Sequence, residues 1–165
     1  MHFHPHEYQE IAIQRIIDHS HYGLLLDMGL GKTISTLIAI EKLMYDYFDI
    51  KKVLLIAPKK VAESTWAQES QKWSATRRLT VAKVLGSEKE RIQALESESD
   101  VYVINRENVQ WLYEYYHKKK SFPFDMLVID ESSSFKNPQA KRFKAIRKLR
   151  PLFKRIVILT GTPAP

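Results

Sequence analysis

The sequence predicts an α/β domain, a doubly wound and mainly parallel sheet with helices on both faces. Two observations carry this. Six short, apolar, β-branched runs alternate along the chain with longer stretches of helix-like spacing. Several of those runs are continuously apolar, as strands covered on both faces by helices are, and such strands are joined by right-handed crossovers. With 165 residues, 44% hydrophobic and 27% charged, the chain has the length of one globular domain with a real core, and 1–165 is read as a single unit.

Taken in order, GLLLDM (23–28) is the first strand and 32–48 the first helix, where Ile34, Leu37, Ile38, Glu41 and Lys42 sample an amphipathic repeat. KVLLIAP (52–58) is the second strand, closed by Pro58, and 61–73 is the helix after it. Trp66 and Trp73 lie two helical turns apart there, which suits a shared buried stripe better than a pair of base-stacking platforms. TVAKVLG (80–86) and DVYVINR (100–106) are the next strands, with helical spacing at 87–98 and 107–118. FDMLVIDE (124–131) follows the turn at Phe122-Pro123. RIVILTG (155–161) is the last strand, reached through a helix over 138–149 with Phe143, Ile146 and Leu149 as its apolar stripe. Ligands of open α/β sheets sit beyond the carboxyl ends of the strands, so the turns after Met28, Ile129 and Leu159 are where chemistry belongs. Each of those turns carries a motif.

Composition limits what the chain can be. It has no cysteine, which removes disulfide frameworks and cysteine-based metal sites and suits a reducing cytosolic or nuclear setting, with the cytoplasm expected. The N-terminus, MHFHPHEYQE, does not read as a secretory signal, and no apolar run approaches the ~20 residues of a membrane span. A soluble protein with no membrane partner is expected. His2, His4 and His6 alternate but read as a solvated terminus rather than a metal site. The net charge of +7 and pI of about 9.5 favour a polyanionic partner such as nucleic acid. Much of the basic excess falls between Lys136 and Arg155, where there is no acidic residue. Solvated surface, nucleic-acid contact and docking of a partner domain all remain open for that segment.

Asp27-Met28-Gly29-Leu30-Gly31-Lys32-Thr33 follows an apolar strand and opens an amphipathic helix, the context a phosphate-binding loop requires. Glycines let successive N–H groups turn inward, and the helix N-terminus adds partial positive charge where phosphates would lie. Lys32 would contact the β- and γ-phosphates, and the Thr33 hydroxyl would ligate Mg²⁺. The strict pattern asks for glycine where this chain has Leu26. Gly-x-Gly-Lys-Ser/Thr nonetheless arises by chance in only roughly one chain of this length in two hundred, so the loop is read as a site. Leu127-Val128-Ile129-Asp130-Glu131 is an apolar strand ending in two carboxylates, placing Asp130 to hold Mg²⁺ and Glu131 to orient or deprotonate the attacking water. Ile158 to Pro163 ends the last strand with Thr160, Gly161 and Thr162, groups suited to sensing the nucleotide or Glu131.

The ordered set Tyr8-Gln9, DMGLGKT (27–33), LLIAPKKVAESTWAQES (54–70), VINREN (103–108), VIDESSSFKN (128–137) and LTGTPAP (159–165) resembles the first motor domain of Swi/Snf-type ATPases in helicase superfamily two, especially its compact phage or prophage members. The resemblance covers nearly the whole chain. It implies a RecA-like P-loop domain that binds ATP with Mg²⁺, hydrolyses it against a second RecA-like domain, and moves on nucleic acid, with DNA placed ahead of RNA. It also implies that Gln9 reads the adenine edge and that Met28, Gly29, Leu30, Gly31, Lys32 and Thr33 hold the phosphates. Lys32, Asp130 and Glu131 would form the catalytic set, with Thr33 and Asp130 on the metal. Pro58, Lys59 and Lys60, with Asn105 and Arg106, would face the nucleic-acid backbone, and Thr160, Gly161 and Thr162 would couple nucleotide state to that track. Ser133 stands where the family often has histidine. The second motor domain, with its arginine fingers, is expected to lie outside these residues, in a longer protein or in the product of a split gene. The alternative function is a nucleotide-gated nucleic-acid-binding module without significant turnover of its own.

Overall fold

Every strand pairing in the sheet is parallel, which sends all the strand ends that matter for chemistry to one rim. The computed structural model describes residues 1–25, 31–131 and 141–160, without the side chains at 25, 131 and 141–143. The strands are β1 (His21–Leu25), β2 (Val53–Ala57), β3 (Val81–Val84), β4 (Val101–Asn105), β5 (Met126–Glu131) and β6 (Arg155–Thr160), in the order β1-β6-β5-β2-β4-β3. The helices are α1 (Glu7–Asp18), α2 (Lys32–Glu41), α3 (Trp66–Lys72), α4 (Glu88–Glu96), α5 (Val109–Lys119) and α6 (Lys141–Leu149). Each expected strand is present with its ends displaced by a few residues, and the doubly wound reading holds. The helix at the chain start, α1, is an addition. No helix among the described residues is long and apolar enough to cross a membrane.

Alternation along the strands builds two cores. Val53, Leu55 and Ala57 of β2 face one side, packed with Ala12, Ile13 and Ile16 of α1, Leu37 of α2 and Trp66 of α3. Leu54 and Ile56 face the other, with Leu95 of α4, Leu112 and Tyr116 of α5 and Ile146 of α6. Both faces of β2 are fully buried, which is why it reads as an unbroken apolar run. Trimming Leu55 or Ile56 to alanine costs about 2–5 kcal/mol. Two helices change pitch: α2 runs on into a wider turn at Lys42–Asp46, and Val61–Thr65 forms such a turn ahead of α3.

The amino-terminal rim of the sheet is tied by aspartates. Asp125 accepts from the backbone N–H groups of Lys51 and Lys52 at 2.8 and 3.0 Å, and Asp100 accepts from Thr80 N–H at 3.0 Å and from the Tyr45 hydroxyl. Asp49 accepts from Lys154 Nζ at 2.6 Å and Arg155 Nε at 2.5 Å, while Arg155 Nη1 donates to the Ile16 carbonyl. The Lys154 ammonium and the Arg155 guanidinium hold the Asp49 carboxyl below its ordinary value. These two cations of the basic C-terminal segment are therefore engaged in the fold and leave the track-contact and partner-docking readings to the others.

Candidate nucleotide site

On the opposite, carboxyl rim, Gly31 caps α2 with a left-handed backbone, φ 80°. A side chain is excluded there twice over. The conformation is strained for any residue with a Cβ, and a Cβ would run into the amide nitrogen of Gln9. Gln9 is itself fixed, since its Oε1 accepts from the His6 N–H at 2.9 Å and caps α1. The buried amide of Gln9 thus lies against the start of α2. No acidic side chain occupies the first turn of α2, so the partial positive charge of its N-terminus is not offset from within that turn. Lys32 opens that turn, and the half-buried Thr33 follows it.

Across the rim, Lys32 Nζ stands 3.3 Å from Asp130 Oδ1. Asp130 lies on the face of β5 that carries Met126 and Val128, the same face that α1, α2 and α3 cover. It is 4% exposed, and its other oxygen, Oδ2, accepts from the indole Nε1 of Trp66 at 3.1 Å. From just beyond the end of β4, two strands away across β2, Arg106 Nη2 donates to the Asp130 carbonyl at 3.3 Å. A carboxylate this buried requires such partners, because an unpaired charge in the interior costs several kcal/mol.

Thr160 lies in register with Leu25 on one side and with Glu131 on the other, and its hydroxyl donates to the Leu24 carbonyl at 3.4 Å. Pro58, Lys59 and Lys60 follow β2 on this rim, the two lysines exposed. Asn105 and Arg106 end β4 but turn inward. Both are buried, with Asn105 Nδ2 donating to Glu107 Oε2 at 2.8 Å and Asn105 Oδ1 accepting from Asn108 Nδ2 at 2.8 Å.

Gln9, Gly31, Lys32, Thr33, Asp130 and Thr160 are therefore gathered on one rim, with the backbone of Glu131 among them. Met28, Gly29, Leu30, Gly161, Thr162 and the Glu131 side chain lie outside the described residues, as does Ser133. Trp66 is a site residue that sequence reasoning placed only in the core. It is fully buried as expected, whereas Trp73 is half-buried, packed edge-on to Phe3 and bonded to Glu69. Trp111 lies over neither rim's motifs; it stacks on Tyr115 and under Arg91. Among the described residues no group of three or more His, Asp or Glu side chains could hold a metal ion, which includes the N-terminal histidines.

An all-parallel sheet in this strand order, with a lysine–aspartate pair on its carboxyl rim, is the RecA-like ATPase fold. The sequence profile of the SNF2-related domain matches residues 8–165, and the chain belongs to that family. It is 36% identical to the putative protein p41 of Acyrthosiphon pisum secondary endosymbiont phage 1, over 99% of this chain and 36% of the relative. Its fold matches the Sulfolobus solfataricus SWI2/SNF2 ATPase core in complex with dsDNA with a TM-score of 0.74 and 26% identity, covering 98% of this chain and 32% of that one. The UvsW helicase from bacteriophage T4 gives a TM-score of 0.74 at 18% identity, a likeness of fold, over 53% of its chain. The present chain thus spans about a third of the phage relative and of the archaeal core. It is an SNF2-type ATPase domain of the helicase superfamily.

Proposed function

We propose that this chain is the ATP-binding first motor domain of a DNA translocase or helicase, hydrolysing ATP against a second RecA-like domain that completes the motor. The observation that carries this reading is the Lys32–Asp130 pair, a lysine at a helix N-terminus facing a buried carboxylate across the rim. ATP with Mg²⁺ fits the residues present: the absence of a side chain at Gly31 lets the Gln9 amide lie against the start of α2, and the first turn of α2 carries no acidic side chain. One carboxylate and one hydroxyl also suit Mg²⁺, which takes few protein ligands and completes its shell with water and phosphate oxygens.

In this reading Lys32 exchanges the Asp130 carboxylate for the β- and γ-phosphates, and Asp130 and Thr33 then hold the metal. Mg²⁺, when bound, neutralises charge on the phosphates. Glu131 positions the attacking water and takes its proton. Gln9 meets the adenine edge, and 28–31 wrap the phosphates. Lys59 and Lys60, exposed after Pro58, contact the backbone of the track, while Asn105 and Arg106 support that surface from within. Thr160, Gly161 and Thr162 couple nucleotide state to it. A cytoplasmic location follows from the same reading.

The test is calorimetric ATP binding in the presence of Mg²⁺, with a folded Lys32→Ala protein as the comparison. Loss of most of the affinity on substitution supports the site. Unchanged affinity removes it.

A further inference from the structure

We infer that Trp66 is a positioning residue for the metal site, holding the Asp130 carboxylate in the orientation that ligates Mg²⁺ and linking that carboxylate to the segment that meets the nucleic-acid track. This rests on the function proposed above. Three observations converge on this. Trp66 is fully buried, yet its single polar atom is spent on Asp130 Oδ2, at 3.1 Å, and not on a backbone carbonyl. The bond leaves Oδ1 as the oxygen that faces Lys32, so one oxygen is anchored and the other is available when Lys32 turns to phosphate. Groups that hold metal-ligating carboxylates from behind set their orientation and commonly change metal affinity about 10–100-fold when removed.

The third observation is where Trp66 sits in the chain. It is the first residue of α3, directly after the wide turn Val61–Thr65, which in turn follows Pro58, Lys59 and Lys60. Wide turns of this kind are rare in helices and are frequent at functional sites. A shift of the segment 58–65 on contact with a phosphate backbone is therefore passed to the indole, and from the indole to the metal ligand. Arg106, on the second expected track segment, reaches the carbonyl of the same aspartate. Both segments thus end on Asp130.

The experiment uses the full chain and a fluorescent ADP, titrated once with Mg²⁺ and once with EDTA. The readout is the ratio of the two affinities. Trp66→Phe keeps most of the buried volume and removes only the donor; the ratio should fall by roughly 10-fold or more. A purely structural Trp66 would change stability and leave the ratio where it was, which would overturn the inference. If Trp66→Phe does not fold, the indole N–H signals of the ¹⁵N-labelled protein serve instead. The chain has three tryptophans, so Trp73→Phe and Trp111→Phe identify the Trp66 signal by elimination. That signal should move when Mg²⁺ joins the bound nucleotide, and a signal indifferent to Mg²⁺ would overturn the inference. Wild-type protein that binds nucleotide in neither condition would overturn the proposed function as well, whereas nucleotide binding with an unresponsive Trp66 overturns this inference alone.

Discussion

Asp130 and Asp49 show how one residue type serves two ends of a sheet. Asp130, on the carboxyl rim, is held by Lys32 and Trp66, and in the proposed motor Lys32 leaves it for phosphate while Trp66 stays. Asp49, on the amino rim, is held by Lys154 and Arg155 and has a fixed structural task. The neighbour of Asp130 gives the sharpest chemical prediction. Because a base acts on water and not on the ground-state nucleotide, Glu131→Gln should leave Mg²⁺–ATP binding within about twofold while abolishing hydrolysis by the complete motor. Calorimetry and phosphate release on the same preparation check both halves. The placement of these residues was legible at the residue scale, since Gly31-Lys32-Thr33 comes after one strand and Asp130-Glu131 ends another, which puts both on the carboxyl rim. The Trp66–Asp130 bond was not, because its partners are 64 residues apart and nothing in a helical stripe distinguishes an indole that packs from one that also donates.

Among the elements, α1 is the one the sequence reading passed over. Its opening, with His6, Glu7 and Glu10 and an exposed Ile11, looks like a solvated terminus, yet Ala12, Ile13 and Ile16 recur at helical spacing and are buried against α2. That periodicity is the signal of the helix, and the polar, histidine-rich residues before it obscure the signal. The strands were legible because burial on both faces leaves unbroken apolar runs, while helix limits were blurred by the two wide turns that continue or precede α2 and α3. The contact that locks the last strand to the α2–β2 connection is a testable element. Asp49→Asn should lower stability by about 1–2 kcal/mol, or roughly 2–8 °C in Tm, since it weakens two charge-assisted bonds in a partly exposed place. The folded-state pKa of Asp49 is depressed, so its contribution is complete above the ordinary value of 3.8 and is lost as the pH falls through the lower folded value. Melting curves across that window should show the wild-type advantage constant at neutral pH and shrinking below about pH 4.

At a larger scale, the candidate track contacts are directed at phosphate, and residues 1–165 make up one of the two domains of the proposed motor. Nucleic-acid binding by this chain should therefore be weak, indifferent to sequence and steeply dependent on salt, as a fluorescent oligonucleotide titrated at several salt concentrations will show. Turnover of ATP by the chain alone should also be slow and little stimulated by DNA. An arginine finger contributes on the order of 10³–10⁵ in rate, and in the proposed motor it comes from the opposing domain. Steady-state phosphate release with saturating DNA, with Lys32→Ala as the contamination control, decides this; brisk Lys32-dependent turnover would require an arginine from within the chain or from a second copy.

The strand order carries a temporal consequence. β1 is the first strand to be made, yet it lies at the sheet edge and pairs with β6, the last, so Leu24 waits for a partner 136 residues further on. At roughly 5–20 residues per second, about 7–27 seconds of synthesis separate the two. For that interval the phosphate-loop strand has an open backbone edge, and Thr160 is not yet there to stand between Leu25 and Glu131. The candidate nucleotide rim, where β1 and β5 are joined only through β6, is therefore the last part of the sheet to be completed.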